Sequence, residues 1–124
     1  MFEVCREYRF EAAHRLTALP DGHKCARLHG HSFIVQLHVR GPLDESTGWL
    51  VDFYEVDRAW LPCHEALDHN YLNDIAGLEN PTSEHIARWV WQRVRPALPS
   101  LHRIVVRETC DSGCTYFGDD APPA

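Results

Sequence analysis

The sequence predicts an α+β domain in which two helices cover one face of a four-stranded antiparallel sheet. Polar and apolar residues alternate along residues 2–14 and 31–40, which is the pattern of half-buried strands. Residues 52–67 and 82–94 instead carry apolar residues at helical spacing. Two further short strands follow, so the order ββααββ favours helices gathered on one side of a single sheet.

Composition favours a small folded protein that binds neither nucleic acid nor membrane. The 124 residues, 44% hydrophobic and 24% charged, should form one domain, residues 1–118, with a disordered tail, residues 119–124. The net charge of −6 and the lack of a Lys/Arg run argue against nucleic-acid binding. No apolar run approaches the roughly 20 residues that span a bilayer, and the charged N-terminus lacks a signal-peptide pattern. The five cysteines, an odd number, are therefore expected to be free thiols in a cytoplasmic protein.

The first two strands are predicted to form an antiparallel hairpin with a long connecting loop. His14 lies on the apolar parity of the first strand, residues 2–14. His29 and His31 share the apolar parity of the second strand. The Pro-Asp-Gly run at residues 20–22 marks the loop between the two strands. The hairpin should therefore direct His14 toward the core or a pocket.

Each predicted helix begins at a recognisable N-cap. Asp52 is followed three residues later by Glu55, which is the spacing of a capping box. Pro62 falls inside this first helix and is expected to kink it or split it into two turns. Thr82 or Ser83 can cap the second helix. The buried stripe of the second helix is predicted to comprise Ile86, Trp89, Val90 and Val94.

Two short strands, residues 103–109 and 114–118, are predicted to end the domain, with a turn at residues 111–113. Cys110 and Cys114 have a spacing that metal sites use, but they bracket this turn, so they are interpreted as structural or incidental. The sheet would have exposed edges. Pairing of edges between subunits is one way to protect them, so a homo-oligomer is expected.

His14, His29 and His31 are the candidate metal ligands. Positions i and i+2 of a strand project from one face, so His29 and His31 can both reach one ion at about 2.0–2.1 Å. Three neutral imidazoles leave a fourth position open, which is the pattern of a catalytic zinc site. Two alternatives stay open on spacing alone: a polar strand end beside a core histidine, or a structural site with Cys25 as the fourth ligand.

Cys25 and the adjacent pair Asp68 and His69 are candidates for proton transfer. Cys25 lies between Lys24 and Arg27, and nearby positive charge favours the reactive thiolate. A carboxylate that orients an imidazole, which in turn exchanges protons with a thiol, is the arrangement of a catalytic triad. Adjacent residues do not automatically form a hydrogen bond, so a helix-terminal aspartate beside a surface histidine is the alternative.

Glu108 is a candidate ligand-binding carboxylate at the end of the third strand. It shares the parity of the apolar residue Ile104, and an inward carboxylate requires a partner to offset its desolvation. A guanidine-like amide edge could donate two charge-assisted hydrogen bonds to it. The alternative partner is an arginine of a neighbouring chain, such as Arg103 or Arg107. The four tryptophans are interpreted as core or interface residues: Trp49, Trp60, Trp89 and Trp91.

Six motifs in this order resemble the 6-pyruvoyl-tetrahydropterin synthase superfamily: FEAAHRL, C-x3-HGHSF, TGWLVDF, LDHNYLND, LENPTSE and ETC-x3-C. Within that superfamily they resemble the bacterial 6-carboxy-5,6,7,8-tetrahydropterin synthases of queuosine biosynthesis. The resemblance covers residues 5–118, nearly the whole chain. The ordered set is far more specific than any one motif.

The resemblance implies the tunnelling fold, or T-fold, in which ββααββ subunits join their sheets into a barrel. It also implies a homohexamer of two trimers with active sites at subunit interfaces. The implied ligands of Zn²⁺ are the three histidines named above, and the implied catalytic residues are Cys25, Asp68, His69 and Glu108. In that scheme Cys25 accepts a proton, Asp68 and His69 complete its relay, and Glu108 anchors the pterin ring.

The implied activity is a carbon–carbon lyase reaction on 7,8-dihydroneopterin triphosphate, a small pterin substrate. Its products are 6-carboxytetrahydropterin, acetaldehyde and triphosphate. Lys24, Arg15 and Arg27 are candidates to neutralise the triphosphate because they are basic and lie near the motifs. Two alternatives remain: a pyruvoyl-forming synthase that keeps the side chain, and a non-catalytic zinc-binding assembly protein.

Overall fold

The computed structural model describes residues 1–20, 22–108 and 111–119. The elements follow the chain as β1 (Phe2–His14), β2 (His29–Gly41), α1 (Phe53–Leu67), α2 (Ser83–Val94), β3 (Leu101–Glu108) and β4 (Ser112–Tyr116). The predicted α+β class and ββααββ order are confirmed. Cys110 and the tail residues 120–124 lie outside the described residues, so the predictions for them stay predictions.

The sheet is antiparallel throughout, with the strands in the order β1-β2-β3-β4. The hairpin register places His14 opposite His29 and Phe10 opposite Phe33. On the next strand Glu108 lies opposite Phe33. Opposed residues share a face, so the end of β3 lies on the same face as the histidine end of the hairpin.

The hydrophobic core lies between this face of the sheet and the two helices. Phe10 and Phe33 stack at its centre, with ring centroids 4.9 Å apart. The predicted stripe of α2 is buried, and α1 contributes Trp60, which stacks on Tyr8 of β1 at 4.9 Å. Trp60 and Trp89 are core residues, as expected, whereas Trp49 is half exposed. Both helices therefore pack on one face, as the alternating strand pattern requires.

Pro62 was expected to kink the first helix or to split it. The split does not occur, because α1 runs unbroken from Phe53 to Leu67. Pro62 lies on an exposed side of the helix, and so does Arg58, whose carbonyl oxygen loses its helical partner. Water can satisfy that carbonyl, which makes the proline tolerable. The helix starts at the predicted N-cap, where the Asp52 side chain accepts a hydrogen bond from the Tyr54 N–H at 3.0 Å.

The long loop between the hairpin strands contains a short 3-10 turn, Lys24–Ala26. A second 3-10 turn, Leu72–Asp74, follows α1. The second strand begins at His29, two residues before the predicted start, because pairing continues as far as His14. Neither helix of the described chain is long and apolar enough to cross a membrane.

Candidate active site

Three histidines converge at the end of the hairpin where the long loop joins β1 to β2. His14 faces His29 across the two strands, and His31 lies opposite Ala12, whose small side chain leaves room beside it. The ring centroids are 4.5 Å apart for His14 and His29, 5.0 Å for His14 and His31, and 4.6 Å for His29 and His31. One ring nitrogen from each of the three lies within 4.8 Å of the other two. The structure therefore brings together the three imidazoles that the sequence selected.

The hydrogen bonds of these imidazoles suit them to a metal ion. The Nδ1 atom of His14 lies 2.9 Å from the carbonyl oxygen of Pro81, and that of His29 lies 2.7 Å from the carbonyl oxygen of Arg27. A carbonyl only accepts, so each Nδ1 carries the proton and each Nε2 keeps a free lone pair. The Nε2 atom of His14 is buried and has no hydrogen-bond partner. A bound cation would satisfy it, so these residues fit a zinc ion.

Burial keeps two of these imidazoles in the form that binds metal. Desolvation is the main cause that lowers the pKa of His14 and also that of His31. The charged imidazolium has no lone pair to offer, whereas the neutral ring does. Near neutral pH His14 and His31 therefore present uncharged nitrogen donors.

Cys25 and Glu108 share a cavity of about 360 Å³ with the three histidines. Leu16 and Lys24 complete its lining. The cluster of mutually close ligand atoms contains the three imidazoles but not the Cys25 sulfur. This geometry favours a three-histidine site with a separate thiol over a closed site with a cysteine ligand.

The Cys25 loop is tied to the protein through its backbone. The His23 side chain caps the 3-10 turn by accepting a hydrogen bond from the Cys25 N–H at 3.1 Å. The Cys25 carbonyl accepts a hydrogen bond from the Leu16 N–H at 2.9 Å. The loop is thereby linked to the residues that follow His14.

Glu108 has a partner that sequence reasoning missed. The hydroxyl of Ser83, the first residue of α2, donates to Oε1 of Glu108 at 3.0 Å. Ser83 is recognisable in the sequence only as an alternative N-cap, a position that Thr82 takes. Arg103, one of the arginines considered as a partner, is paired within this chain with Glu3 at 2.9 Å.

Asp68 and His69 form a hydrogen bond with each other, which their adjacency in the sequence did not by itself establish. The Nδ1 atom of His69 lies 2.8 Å from Oδ2 of Asp68. The other carboxylate oxygen accepts from the Glu11 N–H at 2.9 Å, and this bond is the main cause that lowers the pKa of Asp68. His69 has a positive φ of 56°, an uncommon conformation for a residue other than glycine. The backbone N–H of His69 donates to the Glu11 carbonyl, which holds it there.

The residues of the relay that the resemblance implies do not all line one cavity of this chain. His69 lines a neighbouring pocket of about 570 Å³ beside the end of β1, which shares His31 with the cavity that contains Cys25; His69 itself does not line that cavity. Its side chain is 78% exposed. Of the three basic residues considered for the triphosphate, Lys24 lines the cavity, whereas Arg15 and Arg27 do not.

The whole fold and its sequence match one family. A family model described as 6-pyruvoyl tetrahydropterin synthase matches residues 3–119. The chain belongs to the 6-pyruvoyl tetrahydropterin synthase family. The predicted resemblance is confirmed, and so is the prediction that the chain is an enzyme, a pterin synthase of the lyase class.

Two curated relatives and one solved structure place the chain within the family. It is 41% identical to the 6-carboxy-5,6,7,8-tetrahydropterin synthase of Synechocystis sp., covering 99% of this chain and 98% of that one. It is 31% identical to the 6-pyruvoyl tetrahydrobiopterin synthase of Drosophila melanogaster, covering 93% and 79%. The Caenorhabditis elegans 6-pyruvoyl tetrahydropterin synthase structure matches with a TM-score of 0.88 at 25% identity, over 95% of this chain and 96% of that one. The expected T-fold is thereby confirmed.

Proposed function

We propose that this protein is a zinc-dependent lyase that converts 7,8-dihydroneopterin triphosphate to 6-carboxy-5,6,7,8-tetrahydropterin, acetaldehyde and triphosphate. The observation that carries the proposal is the cavity that combines three convergent imidazoles, a thiol and a carboxylate. The 41% identity to a relative named for the same product supports the choice of reaction. We place the reaction in queuosine biosynthesis and in the cytoplasm, following the motifs and the cysteine content.

The metal site supplies the electrophile in this proposal. His14, His29 and His31 would hold Zn²⁺, which when bound lowers the energy of negative charge on the substrate's side-chain oxygens. Glu108 would accept hydrogen bonds from the N–H groups of the pterin amide edge, with Oε1 kept in place by Ser83. Lys24 is the basic residue that the cavity offers to the triphosphate.

Cys25 and His69 would move the protons. The Cys25 thiolate takes a proton from a side-chain carbon, and His69, oriented by Asp68, returns a proton to the neighbouring position. Because His69 does not line the Cys25 cavity, we propose that the Asp68–His69 pair of a neighbouring subunit completes each site. The proposed assembly is a homohexamer of two trimers.

Atom balance separates the two reactions known for relatives of this chain. Loss of triphosphate with internal redox transfer yields a pyruvoyl side chain without water. Formation of the carboxylate and acetaldehyde requires one additional water molecule, which adds to the carbonyl next to the ring while the carbon–carbon bond breaks. The pyruvoyl-forming synthase is the second candidate because the Drosophila and nematode matches carry that name. The non-catalytic alternative is less well supported, because the matched family is named for an enzyme.

The deciding experiment incubates the zinc-loaded protein with 7,8-dihydroneopterin triphosphate in isotopically labelled water. We expect trapped acetaldehyde and a carboxylated pterin that carries the oxygen label. Triphosphate release with a pyruvoyl product and no acetaldehyde would identify the second candidate. Absence of any turnover by the zinc-loaded protein would contradict both.

A further inference from the structure

The three residues after β1 lead from the metal-site histidine toward the Cys25 loop. We call Arg15, Leu16 and Thr17 the connecting segment. Each backbone N–H of this segment has a partner outside the sheet: Asn73 Oδ1 for Arg15 at 2.9 Å, the Cys25 carbonyl for Leu16 at 2.9 Å, and Asn80 Oδ1 for Thr17 at 3.1 Å. Two asparagine side chains and the Cys25 loop therefore take the place of a neighbouring strand.

The carboxamide of Asn73 is the most fully used of these partners. Its oxygen accepts from the Arg15 N–H, and its nitrogen donates to the Arg15 carbonyl at 2.7 Å and to the Glu79 carbonyl at 3.2 Å. The amide thus forms hydrogen bonds with both the N–H and the carbonyl of Arg15, as a residue of a paired strand does. Its orientation is determined by its partners, because the carbonyl oxygens can only accept.

We propose that Asn73 is a positioning residue that fixes the Cys25 thiol beside the metal site. The connection is short: Arg15 adjoins His14, and Leu16 both lines the active-site cavity and holds the Cys25 carbonyl. Asn80 supports the far end of the segment through Thr17. The catalytic part of this inference rests on the proposed function, whereas the placement of Cys25 does not.

A side-chain clamp of this kind matters because the Cys25 loop contains little regular structure of its own. Within its described part, residues 15–20 and 22–28, the only regular element is one 3-10 turn of three residues. A displacement of about 1 Å in a reacting group can cost on the order of a hundredfold in rate. Groups that react are therefore usually held by hydrogen-bonded neighbours.

The test replaces Asn73 with aspartate, which keeps the shape and the oxygen that accepts from Arg15. The second oxygen would then face two carbonyl oxygens that it cannot satisfy. We expect iodoacetamide to alkylate Cys25 of the zinc-loaded variant several-fold faster than in the parent, as measured by peptide mass spectrometry. We expect kcat to fall by about tenfold or more, with a smaller change in KM.

Three controls separate local repositioning from unfolding. Cys5 is exposed and should react equally in both proteins, whereas Cys63 is buried and should stay protected unless the domain unfolds. Gln92→Glu, on an exposed side of α2, adds the same charge away from the site and should leave the Cys25 rate unchanged. If Asn73→Asp exposes Cys63, the milder variant Asn80→Ala is tested in its place. That change removes only the side-chain acceptor of the Thr17 N–H.

An unchanged alkylation rate at Cys25 in a folded variant overturns the inference, whatever happens to turnover. Faster alkylation of Cys25 alone supports it. If the parent protein has no turnover on the pterin substrate, the proposed function fails, but the alkylation comparison still decides whether Asn73 positions the thiol.

Discussion

At the scale of single residues, backbone carbonyls prepare the imidazoles for metal. The carbonyl of Pro81 orients His14 and that of Arg27 orients His29. In both rings Nδ1 therefore carries the proton, and the lone pair of Nε2 is free to bind a metal ion. These partners come from backbone and do not depend on another side chain. The side chains that can be changed without disturbing that arrangement are His31 and Cys25, and each supports one prediction.

His31→Asn should weaken zinc binding while the fold is retained, because His31 is only half buried. Loss of an outer-shell partner typically costs 10–100-fold in metal affinity, so loss of a ligand should cost at least about 100-fold. Competition with a chelator measures this. His102→Asn on β3 is the matched control and should bind zinc as the parent does. Equal affinity in the His31 variant would exclude it as a ligand.

Cys25→Ala should lower kcat by at least about 100-fold, which is the lower end of what a positioned proton-transfer group contributes. Zinc content should not change, because the sulfur lies outside the cluster of ligand atoms. Elemental analysis and steady-state kinetics of the same preparation test both statements. Cys5→Ala, at an exposed thiol, is the control. Parental turnover in the Cys25 variant would refute the catalytic assignment.

At the scale of elements, polar contacts fasten α1 to β1 beside the aromatic stack. Asp57 of α1 accepts hydrogen bonds from the Tyr8 hydroxyl at 2.6 Å and from Arg6 Nε at 3.0 Å, both on β1. The same helix is followed by its C-cap residue Asp68, whose carboxylate accepts a hydrogen bond from the backbone N–H of Glu11, also on β1. The strand and the helix are therefore tied at two places, and the second one presents His69.

Asp57→Asn should destabilise the protein at neutral pH but not in acid. The Tyr8 hydroxyl, followed by Arg6, lowers the pKa of Asp57 in the folded state. Its stabilising effect is therefore complete above the unfolded value of 3.8 and is lost as pH falls through the folded value. Because the side chain is 39% exposed, solvent screening limits the effect to about 1 kcal/mol or less.

Urea unfolding at neutral and acidic pH measures this difference. The gap between parent and variant should be present at neutral pH and close in acid. Glu65→Gln, on an exposed position of the same helix, should show no such pattern. A gap that persists unchanged in acid would rule out the carboxylate as its source.

At the scale of the whole molecule, the proposed catalytic groups line two neighbouring pockets of one domain, and His31 lines both. Cys25, Glu108 and the histidine cluster share one cavity, whereas His69 lines another pocket. The sheet of the described chain has two edge strands, β1 and β4, where copies could pair, which is compatible with the proposal that each site is completed between copies. A heterologous contact can provide this, because it presents different patches of two identical chains to each other.

Mixing two inactive variants tests this division. Cys25→Ala and His69→Ala subunits, denatured and reassembled together at equal amounts, should recover about one quarter of parental activity if each site draws on two chains. Cys25→Ala mixed with Glu108→Gln is the control and should recover none, because both residues lie in the cavity of one chain. No recovery in the first mixture would show that both groups act from the same chain.

The sequence by itself determined the elements and the facing of the histidines. Side-chain direction along a strand is a local property, so parity alone assigned His14, His29 and His31 to the buried face. Helix starts are also local, and Asp52 and Thr82 cap as expected. The tolerance of Pro62 was not predictable in this way, because it depends on which side of the helix meets water.

Only the tertiary structure decided which distant residues meet. The Ser83–Glu108 bond joins residues 25 positions apart, and the Asn73–Arg15 clamp joins residues 58 apart. Sequence periodicity does not predict such contacts, because they depend on how α2 and the segment after α1 pack against the sheet. The same packing places His69 in a pocket that Cys25 does not line. Local sequence patterns therefore indicated the candidate groups, and long-range packing determined their partners.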